Sequence, residues 1–405
     1  MSACQTTTTF TSDQSVPRPF IWLGAIATGV IVTNLFAPQI LVGLMGRSLG
    51  TTATHAGMVS TLTLLGYAFG LFFLVPLTDI FENKRLIVLT LCSTVIAAAC
   101  TAVAPTTGFL LTAVFLLGAS CSAIQMLVPL VASMARPSER GRVIGDVMSG
   151  LMVGILLSRP IASFISDAWN WRGFYVISSV AIAVLAIALS WRLPSLRPKT
   201  RMNYLNLLGS YWTLIREEPV LRVRSWTAAL SMAAFSAFWA AVALKLAEAP
   251  FNLGASGIAI FALAGAAGAV ATPVAGRLGD AGHVRVTLCA SHALIIISLA
   301  LSASADLLAT RTWSLVALGA GAVVLDLGVT GDQILGRRAI NLLRAEARGR
   351  LNGMFVGIFF IGGAIGTAAA TFAWAHGGWV AVCTVAGAFG LLALITDMAT
   401  SVGTS

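Results

Sequence analysis

Several ionisable residues lie inside long apolar stretches of this sequence, where a charge is costly. Arg159 and Asp326 are the deepest, and Asp332 follows Asp326 six residues later. Charged groups in such surroundings mostly serve proton, ion or solute pathways. A buried carboxyl can take up and release a proton as its surroundings alternate between dry and wet. We predict that Asp326 couples proton movement, with Asp332 as relay or gate; a structural lock of Asp326 with Arg159 or with an amide is the alternative.

Asp326 begins a polar stripe. Thr330 and Gln333 follow it at i+4 and i+7, which places the three side chains on one helix face. A matching stripe without the acid lies 208 residues earlier, at Ser122 and Gln125. Two related helices with matching polar faces are typical of helices that line a cavity. Further candidates for the cavity wall are Asn34, Phe235, Phe238 and Trp239.

Long apolar segments must position these side chains. Of the 405 residues, 58% are hydrophobic and 10% charged, and the mean hydropathy is +0.90. Repeated apolar stretches of 18 or more residues predict membrane-spanning helices. The sequence therefore predicts an all-α integral membrane protein with twelve spans. Their approximate bounds are 20–45, 57–80, 86–104, 108–131, 143–166, 173–193, 225–248, 254–279, 284–305, 312–335, 352–374 and 379–398.

The basic residues orient these spans. Most of the 25 Lys and Arg residues fall on one side when both termini are placed in the cytoplasm, as the positive-inside rule requires. That bias accounts for the net charge of +10 without a nucleic-acid partner. The segments that follow are cytoplasmic tails at 1–19 and 399–405, six-helix halves at 20–193 and 225–398, and a linker at 194–224. Helical spacing of apolar residues in the linker predicts an amphipathic helix on the membrane surface.

An internal repeat relates the two halves. "RPSERGRVIG" at 136–145 and "RAEARGRLNG" at 344–353 agree at five positions, and the same offset of 208 pairs Gly154 with Gly362 and Trp171 with Trp379. Internal repeats take precedence in assigning a fold. Two pseudo-symmetric six-helix halves related by an axis along the membrane normal describe the major facilitator architecture, with its substrate site near the midplane.

The chain resembles a bacterial transporter of the major facilitator superfamily over residues 20–398, close to the drug/proton antiporter and sugar-efflux branches. The loop signature of that family is matched by "GRLGDAGHVR" after the eighth span and, in degenerate form, by "VPLTDIFENKR" after the second. A glycine-rich pattern of the antiporter branch is partly kept in the fifth span, where Arg159 stands in the place expected for proline.

The resemblance implies a cytoplasmic gate. In the family the acidic residue of each loop meets the start of a helix in the opposite half, so Asp79 is expected at the eleventh span and Asp280 at the fifth. Helix N-termini stabilise carboxylates, and arginine side chains add charge-assisted hydrogen bonds. The alternative is that these charges only set topology. The predicted gate residues are Asp79, Lys84, Arg85, Arg140, Arg142, Asp280, Arg285, Arg348 and Arg350.

These features predict a secondary active transporter that exports small organic molecules by proton antiport with alternating access. A symporter or facilitator that imports a sugar or metabolite is the alternative, and a membrane sensor or scaffold that moves nothing belongs to another class. The sequence has no nucleotide-phosphate loop, no metal-ligand spacing and no other pattern typical of an enzyme site. We therefore expect no cofactor, a proton gradient as energy source, and a monomer in the bilayer of the bacterial inner membrane.

Overall fold

A computed structural model describes residues 18–51, 53–136, 139–195, 203–267, 275, 277–278, 281–344 and 347–400, and within these residues the regular secondary structure is helical throughout. Ten helical segments of this part of the chain are long and apolar enough to cross a membrane. One of them has 52 residues, enough for two crossings, since about 20 residues span a bilayer. The predicted all-helical membrane fold is confirmed.

The described residues of the first half form eight α-helices. Two predicted spans are each divided in two: the first breaks at Ala37, because the following Pro38 cannot donate a backbone hydrogen bond, and the fourth breaks at Cys121 and Ser122. The bounds are α1 Arg18–Phe36, α2 Pro38–Leu49, α3 Ala53–Phe73, α4 Asn83–Ala102, α5 Thr107–Ser120, α6 Ala123–Ser133, α7 Arg140–Ala168 and α8 Trp171–Arg192.

The linker and second half contain α9 Tyr204–Glu217, α10 Pro219–Ala247, α11 Ala255–Ala262, α12 Val284–Ala303, α13 Arg311–Asn341 and α14 Arg348–Ala399. A 3-10 turn at Leu263–Ala267 follows α11, and the rest of the predicted eighth span falls largely outside the described residues. The predicted eleventh and twelfth spans form α14, which is kinked where Gly377 and Gly378 leave helical geometry. Gly378 has a φ of 59°, a left-handed value that favours glycine.

Glycines at repeat-related positions bring helices together in the same way in each half. A methyl group on Gly154 of α7 would overlap the backbone of Gly29 on α1, and one on Gly362 of α14 would overlap the Ala229 carbonyl on α10. Close approach through small residues is how membrane helices gain van der Waals contact. The sequence repeat at Gly154 and Gly362 is therefore matched by equivalent helix packing in the two halves.

The two halves meet along α3 and the first part of α14. We call the end of the bundle where α9 lies the linker end. Near the linker end, Gly357 packs against the Phe72 ring, and near the opposite end Gly57 packs against Thr371. An apolar cavity of about 30 Å³ beside Gly57 and Thr371 is lined from both halves and has room for little more than a water molecule or two. These two helices are therefore in contact towards both membrane faces.

Candidate functional site

Asp326 lies at the centre of α13, fifteen residues from either end of the Arg311–Asn341 helix. Its side chain is buried, and the indole Nε1–H of Trp239 on α10 donates a hydrogen bond to its Oδ1 at 3.2 Å. Its second oxygen faces the 3-10 turn after α11, where a methyl group on Gly265 would lie 2.9 Å from Oδ2. A glycine at this position therefore lets the backbone of the second half come close to the carboxylate.

Arg159 reaches this site from α7 of the first half. Its guanidinium carbon lies 4.2 Å from the Trp239 ring centroid and 5.5 Å from that of Phe235. The guanidinium also donates from Nη2 to Oε1 of Gln39 at 2.9 Å. A buried cation needs such partners, because leaving water without them costs several kcal/mol. Aromatic faces and an amide oxygen supply them here.

Trp239 contacts both charged residues: its indole N–H donates a hydrogen bond to Asp326, and its ring face lies against the Arg159 guanidinium. Gln39, Arg159, Trp239 and Asp326 form what we call the central cluster. The first half supplies the first two residues and the second half the other two, and all four are at most 6% exposed. The formal charges of Arg159 and Asp326 cancel, so the cluster is a neutral polar site between the halves. Gln39 was missed in the sequence, where an amide next to Pro38 gives no signal of its own.

The other predicted cavity residues lie in different places. Phe235 is beside Arg159, whereas Phe238 packs against Trp379, with ring centroids 5.6 Å apart. Asn34 is buried, and its Oδ1 accepts a hydrogen bond from the Ser178 hydroxyl of α8 at 2.9 Å. The hydrogen-bond partner of Asn34 is therefore a residue of its own half.

The polar stripes flank the central cluster towards the linker end. Gln125 donates to the Tyr67 hydroxyl at 3.4 Å, and the Tyr67 ring packs edge-on against Phe360 of the other half. Ser122 is buried, while Thr330 and Gln333 are half-buried. The stripe of the first half therefore reaches the interface between the halves through Tyr67.

The predicted gate at the linker end is represented by one cross-half pair in the described residues. Asp79, which ends the 3-10 turn after α3, interacts electrostatically with Arg350 in the first turn of α14. Arg350 also donates to the Ser210 hydroxyl of α9 at 2.8 Å, and the Tyr204 hydroxyl of α9 donates to the Phe73 carbonyl at 2.8 Å. The linker helix thus contacts both halves at the gate.

The remaining predicted gate residues are mostly at the surface. Arg140 donates to the Ala135 carbonyl at 3.3 Å, and Arg285 donates to the Met398 carbonyl at 3.2 Å. Arg85, Arg142 and Arg348 are exposed, and Lys84 is half-buried. Asp280 lies outside the described residues, so the second predicted acid–helix contact is outside the structure as described.

A second buried charged cluster lies in the second half. Asp397 near the end of α14 forms an ion pair with Arg224 of α10. His292 of α12 places Nδ1 3.0 Å from Asp397 Oδ2 and Nε2 3.2 Å from Asp332 Oδ1. We call these four residues the His292 cluster; each is at most 1% exposed.

Of the His292 cluster, only Asp332 is a predicted site residue, as relay or gate of proton movement. Arg224 falls at the end of the predicted linker, 194–224, and His292 falls inside the predicted ninth span. α10 begins at Pro219, six residues before the predicted start of its span, so Arg224 belongs to this helix and is paired inside the bundle. The signal available in the sequence was a pair of opposite charges: Arg224 directly precedes the predicted seventh span, and Asp397 lies at the end of the predicted twelfth span.

Comparison with known proteins decides the family. The profile of the Major Facilitator Superfamily matches residues 21–332. This chain is a member of the Major Facilitator Superfamily. It is 37% identical over 383 residues to the uncharacterized transporter YgaY of Escherichia coli O157:H7, covering 93% of this chain and 94% of that protein. It is 32% identical over 377 residues to the transporter SCO4007 of Streptomyces coelicolor, covering 92% and 85% of the two chains.

Solved structures agree on the fold. The nucleoside transporter NupG superposes with a TM-score of 0.75 over 94% of this chain and 99% of that one, at 13% identity. A peptide transporter, POT, superposes with a TM-score of 0.73 over 94% of both chains, at 12% identity. The family match identifies the chain as a multi-pass membrane transporter of this superfamily, and these superpositions show the same fold.

Proposed function

We propose that this transporter exports small organic molecules in exchange for protons. The observation that supports this best is the central cluster, where a lone buried carboxylate meets an arginine from the opposite half through one indole ring. Groups from both halves converge at mid-depth, which is where major facilitator transporters place their substrate site.

Competition at Asp326 explains exchange. A solute that donates a hydrogen bond to the charged carboxylate is bound best by deprotonated Asp326. A proton on Asp326 removes the negative charge and turns one oxygen into a donor, so it weakens that contact. Proton and solute therefore exclude each other, and the site carries one of them in each direction. Arg159 supports the deprotonated form, because its positive charge compensates the carboxylate in a dry site.

Alternating access follows from the two ends of the α3–α14 contact. Separating Gly357 from Phe72 opens the linker end, and separating Gly57 from Thr371 opens the other. Rocking one half against the other around the central cluster exchanges these two openings. Gln39, Arg159, Trp239 and Asp326 would then be wetted from one side at a time.

Inverted bacterial membrane vesicles test the proposal. Respiration acidifies the vesicle lumen and quenches acridine orange; a panel of drugs and metabolites is then added outside. Export by proton antiport carries a solute inward and protons outward, so the dye recovers its fluorescence. We expect recovery with the wild type, its loss in Asp326→Asn, and normal recovery in Asp167→Asn, since Asp167 is exposed near the end of α7.

The same vesicles identify the alternative. A proton symporter for uptake would give no recovery in this orientation and would acidify the lumen of right-side-out vesicles when substrate is added outside. Recovery that persists unchanged in Asp326→Asn would remove Asp326 from proton coupling.

A further inference from the structure

The His292 cluster places one imidazole between two carboxylates. Nδ1 of His292 lies 3.0 Å from Asp397 Oδ2 and Nε2 lies 3.2 Å from Asp332 Oδ1, which are ion-pair distances. These contacts lack hydrogen-bond geometry in this conformation, so their strength depends on charge. A neutral imidazole keeps a lone pair on one ring nitrogen, which repels a nearby carboxylate, whereas an imidazolium has two N–H groups and attracts both carboxylates.

The charges of the cluster lead to the same result. Arg224 contributes one positive charge, and Asp332 and Asp397 contribute two negative charges, at side chains that are at most 1% exposed. With neutral His292 the cluster would hold an uncompensated negative charge in a dry site, which costs several kcal/mol. One bound proton makes the sum zero, and on His292 its charge lies within 3.0 Å of Asp397 and 3.2 Å of Asp332.

In the part of the chain that the structure describes, each helix packed around His292 supplies one of these groups: α10 supplies Arg224, α13 supplies Asp332 and α14 supplies Asp397. On α12 itself, the nearby ionisable residues are Cys289 and the exposed Arg285. The proton thus holds together four helices of one half, and its loss would leave one of the two carboxylates facing a ring nitrogen that has no N–H.

The position of the cluster separates it from the central cluster. Asp332 is six residues beyond Asp326 on α13, or about 9 Å closer to the linker end and about 120° around the helix axis. Asp326 faces α10, whereas Asp332 faces α12. His292 is eight residues from the start of α12, about 12 Å along its axis.

We propose that the His292 cluster is a second proton-binding site, which holds one proton on His292 in this conformation and exchanges it with water at the linker end. Its part in transport rests on the proposed proton antiport, but its occupancy by a proton does not. Unbinding of this proton would loosen α13 from α12, and α13 carries Asp326.

Nitrogen NMR of ¹⁵N-histidine-labelled protein in nanodiscs tests the occupancy without any transport. The chain has four histidines, and at pH 8 imidazole in water is neutral. We expect one imidazolium signal at pH 8 that His292→Gln removes. Asp332→Asn should convert it to a neutral ring, because one negative charge then balances Arg224, while His376→Gln, at an exposed site, should leave it unchanged. A neutral His292 in the wild type would overturn the proposal.

Vesicle assays test the part in transport separately. Asp332→Asn keeps the Arg224–Asp397 pair and should fold, yet we expect at least a tenfold loss of proton-linked dye recovery. Full recovery in a variant whose imidazolium signal is gone would overturn the role in exchange. If the wild type gives the imidazolium signal but moves no protons, the proposed antiport is wrong, and the proposed proton-binding site is still supported.

Discussion

The charges of Arg159 and Asp326 should stabilise each other across Trp239, and a double-mutant cycle measures how much. The perturbations are Arg159→Gln, Asp326→Asn and the pair together. Each single change leaves one buried charge without its counterpart, which costs about 3–5 kcal/mol in comparable buried pairs. The double variant removes both charges, so its loss of stability should be smaller than the sum of the two single losses.

The structure sets the size of this coupling. The guanidinium lies 4.2 Å from the Trp239 ring centroid, and the indole nitrogen lies 3.2 Å from the carboxylate. The path through the ring therefore separates the charges by no more than about 10 Å. At an effective dielectric constant of about 20, Coulomb's law gives about 2 kcal/mol at this distance.

Unfolding by SDS in mixed micelles, followed by tryptophan fluorescence, gives the four free energies. We expect a coupling of about 2 kcal/mol, and additivity within about 0.5 kcal/mol for the control cycle of Arg159→Gln with Asp167→Asn. Asp167 lies eight residues further along α7 and is exposed. A coupling below about 0.5 kcal/mol for the first cycle would refute the view that the two halves share a charge-balanced site.

Three more predictions concern packing and the linker end. Gly362→Ala should destabilise the protein by about 1–3 kcal/mol in the same SDS assay, because the methyl group would overlap the α10 backbone; Gly387→Ala, with open space at its position, should not. Asp79→Lys should repel Arg350 and raise the labelling rate of cysteines placed at the linker end; an unaltered rate would reduce these charges to topology signals. Ser210→Ala removes the hydroxyl that Arg350 contacts, so amide hydrogen exchange in α9 should become faster, and unchanged protection would mean that α9 is held by other contacts.

Much of the fold could be predicted, since apolar length and basic bias depend on bilayer thickness and charge alone. Breaks within spans were harder. The break before Pro38 follows from proline chemistry, but the division of the fourth span at Cys121 has no comparable signal in the sequence. The kink at Gly377 and Gly378 coincides with the predicted gap between the last two spans.

The candidate site was predicted as a set of residues but not as contacts. Asp326, Arg159, Trp239 and Phe235 were all named from residue type and depth, and the structure brings them together. Their arrangement depends on how α7 and α10 are rotated, which local patterns leave open.

The sequence by itself determined the membrane-spanning helices, the two related halves and the presence of isolated charges in apolar surroundings. These follow from local composition and from the repeat. Only the tertiary structure decided which charges are partners, because pairing depends on contacts between residues far apart in the chain. Arg224 and Asp397 are separated by 173 residues, yet they form a buried ion pair. Arg224, which the sequence places at the end of the linker, is thereby part of the buried His292 cluster that we propose binds a proton.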